Sequence, residues 1–286
     1  MGKADLHVHS TASDGRYRPE EIVAKAAALG ITALALADHD SVDGVAPALE
    51  SARAFPDLTF IPNVEISTET DAGEIHILGY YLDYRDAELL TRLEGFRNSR
   101  LNRARKMLEK LEGLGMPLSW ERVQEFAGTG AIGRPHVAQA MLEKGYITTF
   151  REAFDKYISH GGPAYVPRDK MTPAEAVALV VRARGLPGLA HPFTVNKLDT
   201  LLPELKAAGL EALEVYYDSY TPEQRQALGE LARRFRLVPT GGSDYHGLEG
   251  MNETMLGEAG VPEKAVEKLR QRAEEMANKK LEVQEK

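Results

Sequence analysis

Short apolar runs alternating with amphipathic stretches constrain this chain more than any other feature, because strands covered by helices produce that alternation. Strand-like runs fall at 5–9, 33–37, 59–64, 74–82, 187–190, 212–217 and 237–240. Helical patterns lie between several of them, at 19–29, 41–54, 173–184, 203–208 and 222–235. Pro19, Pro173, Pro203 and Pro222 open four of these, at the position where a missing N–H costs a helix nothing. Seven strands with intervening helices predict a closed α/β barrel, with a doubly wound sheet as the alternative. The rhythm breaks from about 89 to 167, where 89–114, 119–127, 134–144 and 149–159 carry helical patterns without a strand. The chain therefore divides into a barrel domain (1–88 and 168–286) and an all-α helical insertion (89–167) closing over the barrel mouth. A last amphipathic helix is expected at 262–277, followed by a frayed charged tail at 278–286.

The polar residues concentrate where the strands end. His7 and His9 follow the first strand, and side chains two apart on a strand share a face, so both imidazoles can reach one ion. Asp38, His39 and Asp40 end the second strand and Glu65 the third; His76 lies on the fourth and His191 ends the fifth. Asp244 and His246 repeat the two-residue spacing after the last strand. Barrel enzymes build their sites at that C-terminal face, so ligands distant in sequence would converge there. With no cysteine in 286 residues, any metal must be held by histidine and carboxylate, which favours manganese, iron, zinc or magnesium. A cysteine nucleophile and disulfides are excluded on the same ground.

These motifs resemble those of the polymerase-and-histidinol-phosphatase (PHP) family: an HxH pair near the start, an Asp-His, a lone His and a closing DxH. Here they read His7/His9, Asp38-His39, His191-Pro192 and Asp244/His246, and the match spans nearly the whole chain. In closer detail HSTASDG, LALADHDSVDG and TGGSDYHG resemble the stand-alone branch acting on nucleotides and short RNA. The resemblance implies a distorted seven-stranded (β/α)7 barrel holding three divalent ions, with manganese expected and iron or zinc as alternatives. One ion would take His7, His9, Glu65 and Asp244. A second would share Glu65 and add His76 and His191, and a third would be held by Asp14, His39 and His246.

Clustered divalent ions favour phosphate-ester hydrolysis, here by a metal-bridging hydroxide without a covalent enzyme intermediate. Asp40 is a candidate proton carrier, or else it caps the helix opening at Ser41. Substrate selection is assigned to the insertion. GRPH at 133–136 resembles a motif of the same branch, with Arg134 to fork a phosphate and His136 to assist by hydrogen bonding or proton donation. His160 is a further candidate. Arg97, Arg100 and Arg103 form a row that meets a second phosphate or RNA backbone, or is a solvated face, and Arg168 and Lys170 carry the same ambiguity.

The expected substrates are nucleoside 3′,5′-bisphosphates and 5′-phosphorylated short oligoribonucleotides. The alternatives are histidinol phosphate or a non-catalytic metal-stabilised module. A formal net charge of −8 argues against binding long duplex DNA through a broad basic surface. The opening MGKADLHVH has no apolar signal core and no apolar run reaches membrane length, so a cytoplasmic protein without membrane contact is expected.

Overall fold

The computed structural model describes residues 3–70, 73–128, 132–167, 171–217, 219–248 and 254–284. The first sheet is parallel, in the order β1 (Lys3–Val8), β2 (Ile31–Leu36) and β3 (Thr59–Ile61). The second contains β4 (Glu65–Thr70), β5 (Gly73–Tyr80), β6 (Leu186–Leu189), β7 (Ala212–Tyr216) and β8 (Val238–Gly241), paired in that order. Its β4–β5 and β5–β6 pairs are antiparallel and the other two are parallel. The architecture is α/β, with eight strands in two open sheets among the described residues, where the sequence pattern predicts seven in one closed ring.

The extra strand lies just after the run expected at 59–64, which itself forms β3. Its chain pairs with β2 only through Ile61, then departs at Glu65 to form β4 against β5. The alternation in EISTET is polar enough to read as a loop, and pairing with the apolar β5 is what makes it a strand.

The two sheets meet along two seams. At one, the His9 N–H donates to the Tyr245 carbonyl and the Asp244 N–H to the His7 carbonyl, both at 2.9 Å. At the other, the Glu65 N–H donates to the Asp38 carbonyl at 3.2 Å and the Asp40 N–H to the Glu65 carbonyl at 2.9 Å. Six of the residues singled out from the sequence, His7, His9, Asp38, Asp40, Glu65 and Asp244, therefore sit on the junctions themselves.

Strand β2 shows how the core is divided. Ala33, Ala35 and Ala37 face an inner cluster with Leu6, Ile61, Leu78, Tyr80 and Ala212, while Leu34 and Leu36 face the helices outside. Both faces are buried, as expected for parallel strands with helices over them. The outer helices are α1 (Pro19–Ala28), α2 (Val45–Ala52), α7 (Pro173–Arg182), α8 (Leu198–Ala208) and α9 (Pro222–Arg234). Helix α10 (Glu263–Gln284) covers the start of β1, placing Ala265 and Leu269 in the inner cluster. It runs through most of the tail expected to fray.

Proline was a sound marker of helix starts in α1, α7 and α9. Helix α8 instead begins five residues before Pro203, because Leu202 and Leu205 need one continuous apolar face against the core. Between β5 and α7 the described residues form α3 (Ala87–Gly113), α4 (Trp120–Ala127), α5 (Arg134–Glu143), α6 (Phe150–Ala153) and a π-helical turn at Phe154–Ile158. They share an apolar cluster of their own, including Leu111, Val123, Val137, Met141 and Ile158. No helix among the described residues is long and apolar enough to cross a membrane.

Candidate metal centre

All nine residues proposed as ligands converge at the end of the inner core away from α10. The strand ends that carry them are bent sharply. Asp40, His191 and Asp244 adopt left-handed backbone angles, with φ of 50°, 46° and 56°. Such angles are unfavourable for residues with a Cβ and persist where surrounding contacts enforce them. Gly242 lets this loop lie directly against β1, since a Cβ there would overlap the backbone and Cβ of His7.

Glu65 is the centre of the array. Its Oε2 lies 3.4 Å from both His7 Nε2 and His9 Nε2 and 3.0 Å from His39 Nδ1. Its Oε1 lies 2.8 Å from His76 Nδ1 and 3.3 Å from His191 Nε2. Asp244 Oδ1 approaches His9 Nε2 at 3.0 Å and His7 Nε2 at 3.4 Å. Asp14 lies 3.6 Å from His9 and 3.5 Å from His246, whose ring stacks on that of His9 at 4.1 Å. The donor atoms fall into four groups, each within 4.8 Å: His9, Asp14, His39 and His246; His7, Glu65 and His191; His7, His9 and Asp244; and His39, Glu65 and His76.

These residues fit a metal on chemical grounds. His7 Nε2, both ring nitrogens of His9 and Glu65 Oε2 are buried without a hydrogen-bond partner among the described residues. Leaving such atoms unpaired is costly, and a cation satisfies them together. Without the ions the charges perturb one another strongly. Burial opposes charge on His7 and His39, but neighbouring carboxylates, Glu65 foremost, outweigh it and raise both, His39 to about 9. Burial, with His246 and His39 nearby, holds His9 down to about 3. Burial also opposes ionisation of Glu65 and Asp244, yet the surrounding imidazoles draw both well below the carboxylate range.

Three carboxylates that support the cluster were not recognised as such from sequence. Glu214, on β7, is fully buried and accepts from His7 Nδ1 at 3.0 Å and from the His191 backbone N–H at 2.9 Å; it also lies 3.3 Å from His191 Nδ1. A carboxylate only accepts, so it fixes the His7 proton on Nδ1 and leaves Nε2 as a ligand atom. Asp38 accepts from the Ser10 N–H and from the Ser10 and Ser13 hydroxyls, anchoring the loop that carries Asp14. Burial raises Asp38 to about 6 against those hydrogen bonds. Asp5 accepts from the Ser243 and Gly257 N–H groups and anchors the loop before Asp244. A lone acid inside an apolar strand such as ALEVY gives a sequence reading little to work with, because its role depends on what crosses over it. Glu214→Gln is expected to weaken metal binding about 10- to 100-fold, since an amide cannot accept from both histidines at once. Metal titration of chelator-treated protein measures this, and unchanged affinity would remove Glu214 from the support of the site.

The remaining candidates are distributed unevenly. A cavity of about 100 Å³ adjoins the cluster, lined by Asp14, His39 and His76 on one side and by Arg100, Arg103 and Arg134 on the other. Arg134 is ion-paired with Glu74. His136 is buried, which lowers its pKa, and its Nδ1 accepts from the Gly133 N–H at 3.0 Å. Asp40 stands outside the four groups: it accepts from Arg100 Nε at 2.7 Å and from the Ser67 N–H at 2.9 Å. It does not cap α2, whose N-cap is Gly44. Arg97 pairs with Asp43 at the surface, and exposed His160 lies against the Tyr165 ring; neither lines the cavity. Arg168 and Lys170 lie outside the described residues.

The PHP-domain family model matches residues 5–159. The 5′-3′ exoribonuclease Rnm of Escherichia coli is 36% identical over 247 residues, covering 85% of this chain and 84% of that protein. A 3′,5′-nucleoside bisphosphate phosphatase from Chromobacterium violaceum is 33% identical over 251 residues, covering 86% and 88%. Among solved structures, one assigned as a metal-dependent phosphoesterase from Bifidobacterium adolescentis superposes with a TM-score of 0.84. It is 31% identical and covers 94% of this chain and 95% of that one. A ligand array built for cations, a cationic cavity beside it and relatives of this kind agree on metal-dependent phosphoester hydrolysis, and the chain belongs to the PHP-domain family.

Proposed function

We propose that the chain removes phosphate from nucleoside 3′,5′-bisphosphates and 5′-phosphorylated short oligoribonucleotides. The observation that carries this reading is the arginine-lined cavity directly beside the ligand cluster, with Asp14, His39 and His76 common to both. A substrate with two phosphate groups can place one at the cluster and the other against Arg100 and Arg134. Gly133, Arg134 and Pro135 also line the cavity, so the N-terminus of α5 adds its favourable field for an anion. Histidinol phosphate is a poorer match, because it carries a single phosphate and offers no second one to Arg100 and Arg134. A non-catalytic module would have no need of the complete ligand set.

In this reading three divalent ions, manganese first among them, would be held by His7, His9, Glu65 and Asp244, by Glu65, His76 and His191, and by Asp14, His39 and His246. Such ions supply an acidified water and neutralise charge that develops on the phosphoryl oxygens. Glu214 holds the proton on His7 Nδ1 so that Nε2 stays available. Arg134 exchanges Glu74 for phosphate, and the fork geometry of guanidinium suits that exchange. His136 accepts at Nδ1, which leaves the Nε2 proton to assist a departing oxygen. Asp40 positions Arg100 and is not a proton carrier in this scheme. The two sheets act as a distorted (β/α)7 barrel whose mouth is capped by residues 89–167.

The test is to compare kcat/KM of manganese-loaded protein for adenosine 3′,5′-bisphosphate, a 5′-phosphorylated tetraribonucleotide and histidinol phosphate. Preference for either of the first two is expected, and preference for the third would overturn the assignment. Arg134→Ala should raise KM for the bisphosphate about tenfold or more with little change in kcat, since a charged hydrogen bond contributes roughly 1.5–3 kcal/mol. Unchanged KM would remove Arg134 from the phosphate site.

A further inference from the structure

We propose that Phe193, together with Tyr220 and Tyr217, forms a stacking platform that holds the nucleobase of the substrate, an inference that rests on the nucleotide reading above. The arginine-lined cavity has a volume of about 100 Å³. It is of a size to seat a phosphate group beside Arg100 and Arg134. A phosphate seated there leaves the base free to lie against the aromatic residues on the His191 side of the ligand cluster.

One line of aromatic rings leads outward from that cluster. The His191 ring meets Tyr217 edge-on at 5.5 Å, Tyr217 meets Tyr220 at 5.1 Å, and Tyr220 meets Phe193 edge-on at 4.9 Å. The inner end is anchored, because the Tyr217 hydroxyl donates to Asp244 Oδ2 at 3.2 Å and Arg225 donates to the Tyr217 carbonyl at 2.8 Å. The outer end is open. Phe193 is 45% exposed on the turn Pro192–Thr194, immediately after His191.

Isolated exposed apolar side chains are ordinary on protein surfaces. Among the described residues the large ones are Leu29, Leu90, Leu114, Phe193 and Met255, and Phe193 alone is aromatic and lies two residues from a candidate ligand. Ring contacts tie it through two tyrosines to the same histidine. Every base presents a π-face, so such a platform selects nucleotides over other phosphate esters without selecting one base. This property suits an enzyme that must accept successive nucleotides of an RNA end.

The experiment compares adenosine 3′,5′-bisphosphate with the base-free ribose 3′,5′-bisphosphate, using the metal-loaded wild type, Phe193→Ala, Phe193→Leu and Phe193→Trp. The wild type should show a lower KM for the base-containing compound. Phe193→Ala and Phe193→Leu should each raise that KM about five- to a hundredfold while leaving kcat and the KM of the base-free compound unchanged, and Phe193→Trp should restore it. The leucine variant separates loss of stacking from loss of apolar bulk. Equal KM values for the two compounds in the wild type, or equal effects on both in the variants, would overturn the platform and leave the phosphatase reading standing. Hydrolysis of neither compound by the wild type would overturn both.

Discussion

Replacing Glu65 with glutamine is expected to lower kcat/KM by at least about a thousandfold, the equivalent of several kcal/mol of lost charge stabilisation. Five histidines face this one carboxylate within 3.4 Å, and its Oε2 lies against three of them. Glutamine has nearly the same shape, so packing survives. One oxygen becomes an NH2 group that cannot bind a cation, and the negative charge is gone. Metal content should fall with activity, and elemental analysis of purified protein measures it directly. Retention of full metal content and activity would refute a centre built on Glu65.

A second readout needs no turnover. In chelator-treated protein the Glu65 carboxylate helps raise His39 from its ordinary 6.5 to about 9, against the effect of burial. A base held protonated in the fold stabilises it fully below its unfolded pKa, and that contribution is lost as pH rises through the folded value. Metal-free wild type should therefore lose stability between about pH 6.5 and 9. In Glu65→Gln the same pH interval should be flatter.

Arg100→Ala is expected to cost about 3–5 kcal/mol of stability, because it strands a buried carboxylate. The Asp40 side chain is fully buried, and Arg100 is its guanidinium partner at 2.7 Å. The same arginine donates to the Ser67 hydroxyl at 2.5 Å, so one side chain ties α3 to the end of β2 and to β4. A loss of that size is a large fraction of the stability of an ordinary domain. Urea unfolding measures it, and a change below about 1 kcal/mol would refute the stranded-charge argument. Adding Asp40→Asn to Arg100→Ala should recover part of the loss, since the uncompensated charge is then absent. Arg100→Lys should fall between the two, because an ammonium retains the charge without the fork that reaches both partners.

The sequence carried the identity of the candidate ligands almost completely. Histidine and carboxylate at two-residue spacing beside apolar runs is a local pattern, and local patterns are readable without knowing where strands lie. The starts of α1, α7 and α9 were legible for the same reason, since proline acts on its own backbone. The absence of cysteine limited the donor types before any geometry was known. What the sequence determined, then, was which side chains are present and which apolar runs they flank.

Tertiary structure decided what each of them faces. Strand β4 exists because β5 lies beside it, and the strands of the described residues form two sheets whose seams run through the ligand residues. Glu214 meets His7 across 207 positions of chain, and Arg100 meets Asp40 across 60. Arg97 and Arg100, three residues apart on α3, part company: one pairs at the surface and the other lines the cavity. The ring line from His191 to Phe193 passes through residues of two separate loops. The physical reason is common to all of these. Backbone propensity and side-chain chemistry act over a few residues, whereas hydrogen bonds, charge pairing and ring contacts act over a few ångströms, and only the folded chain converts one distance into the other.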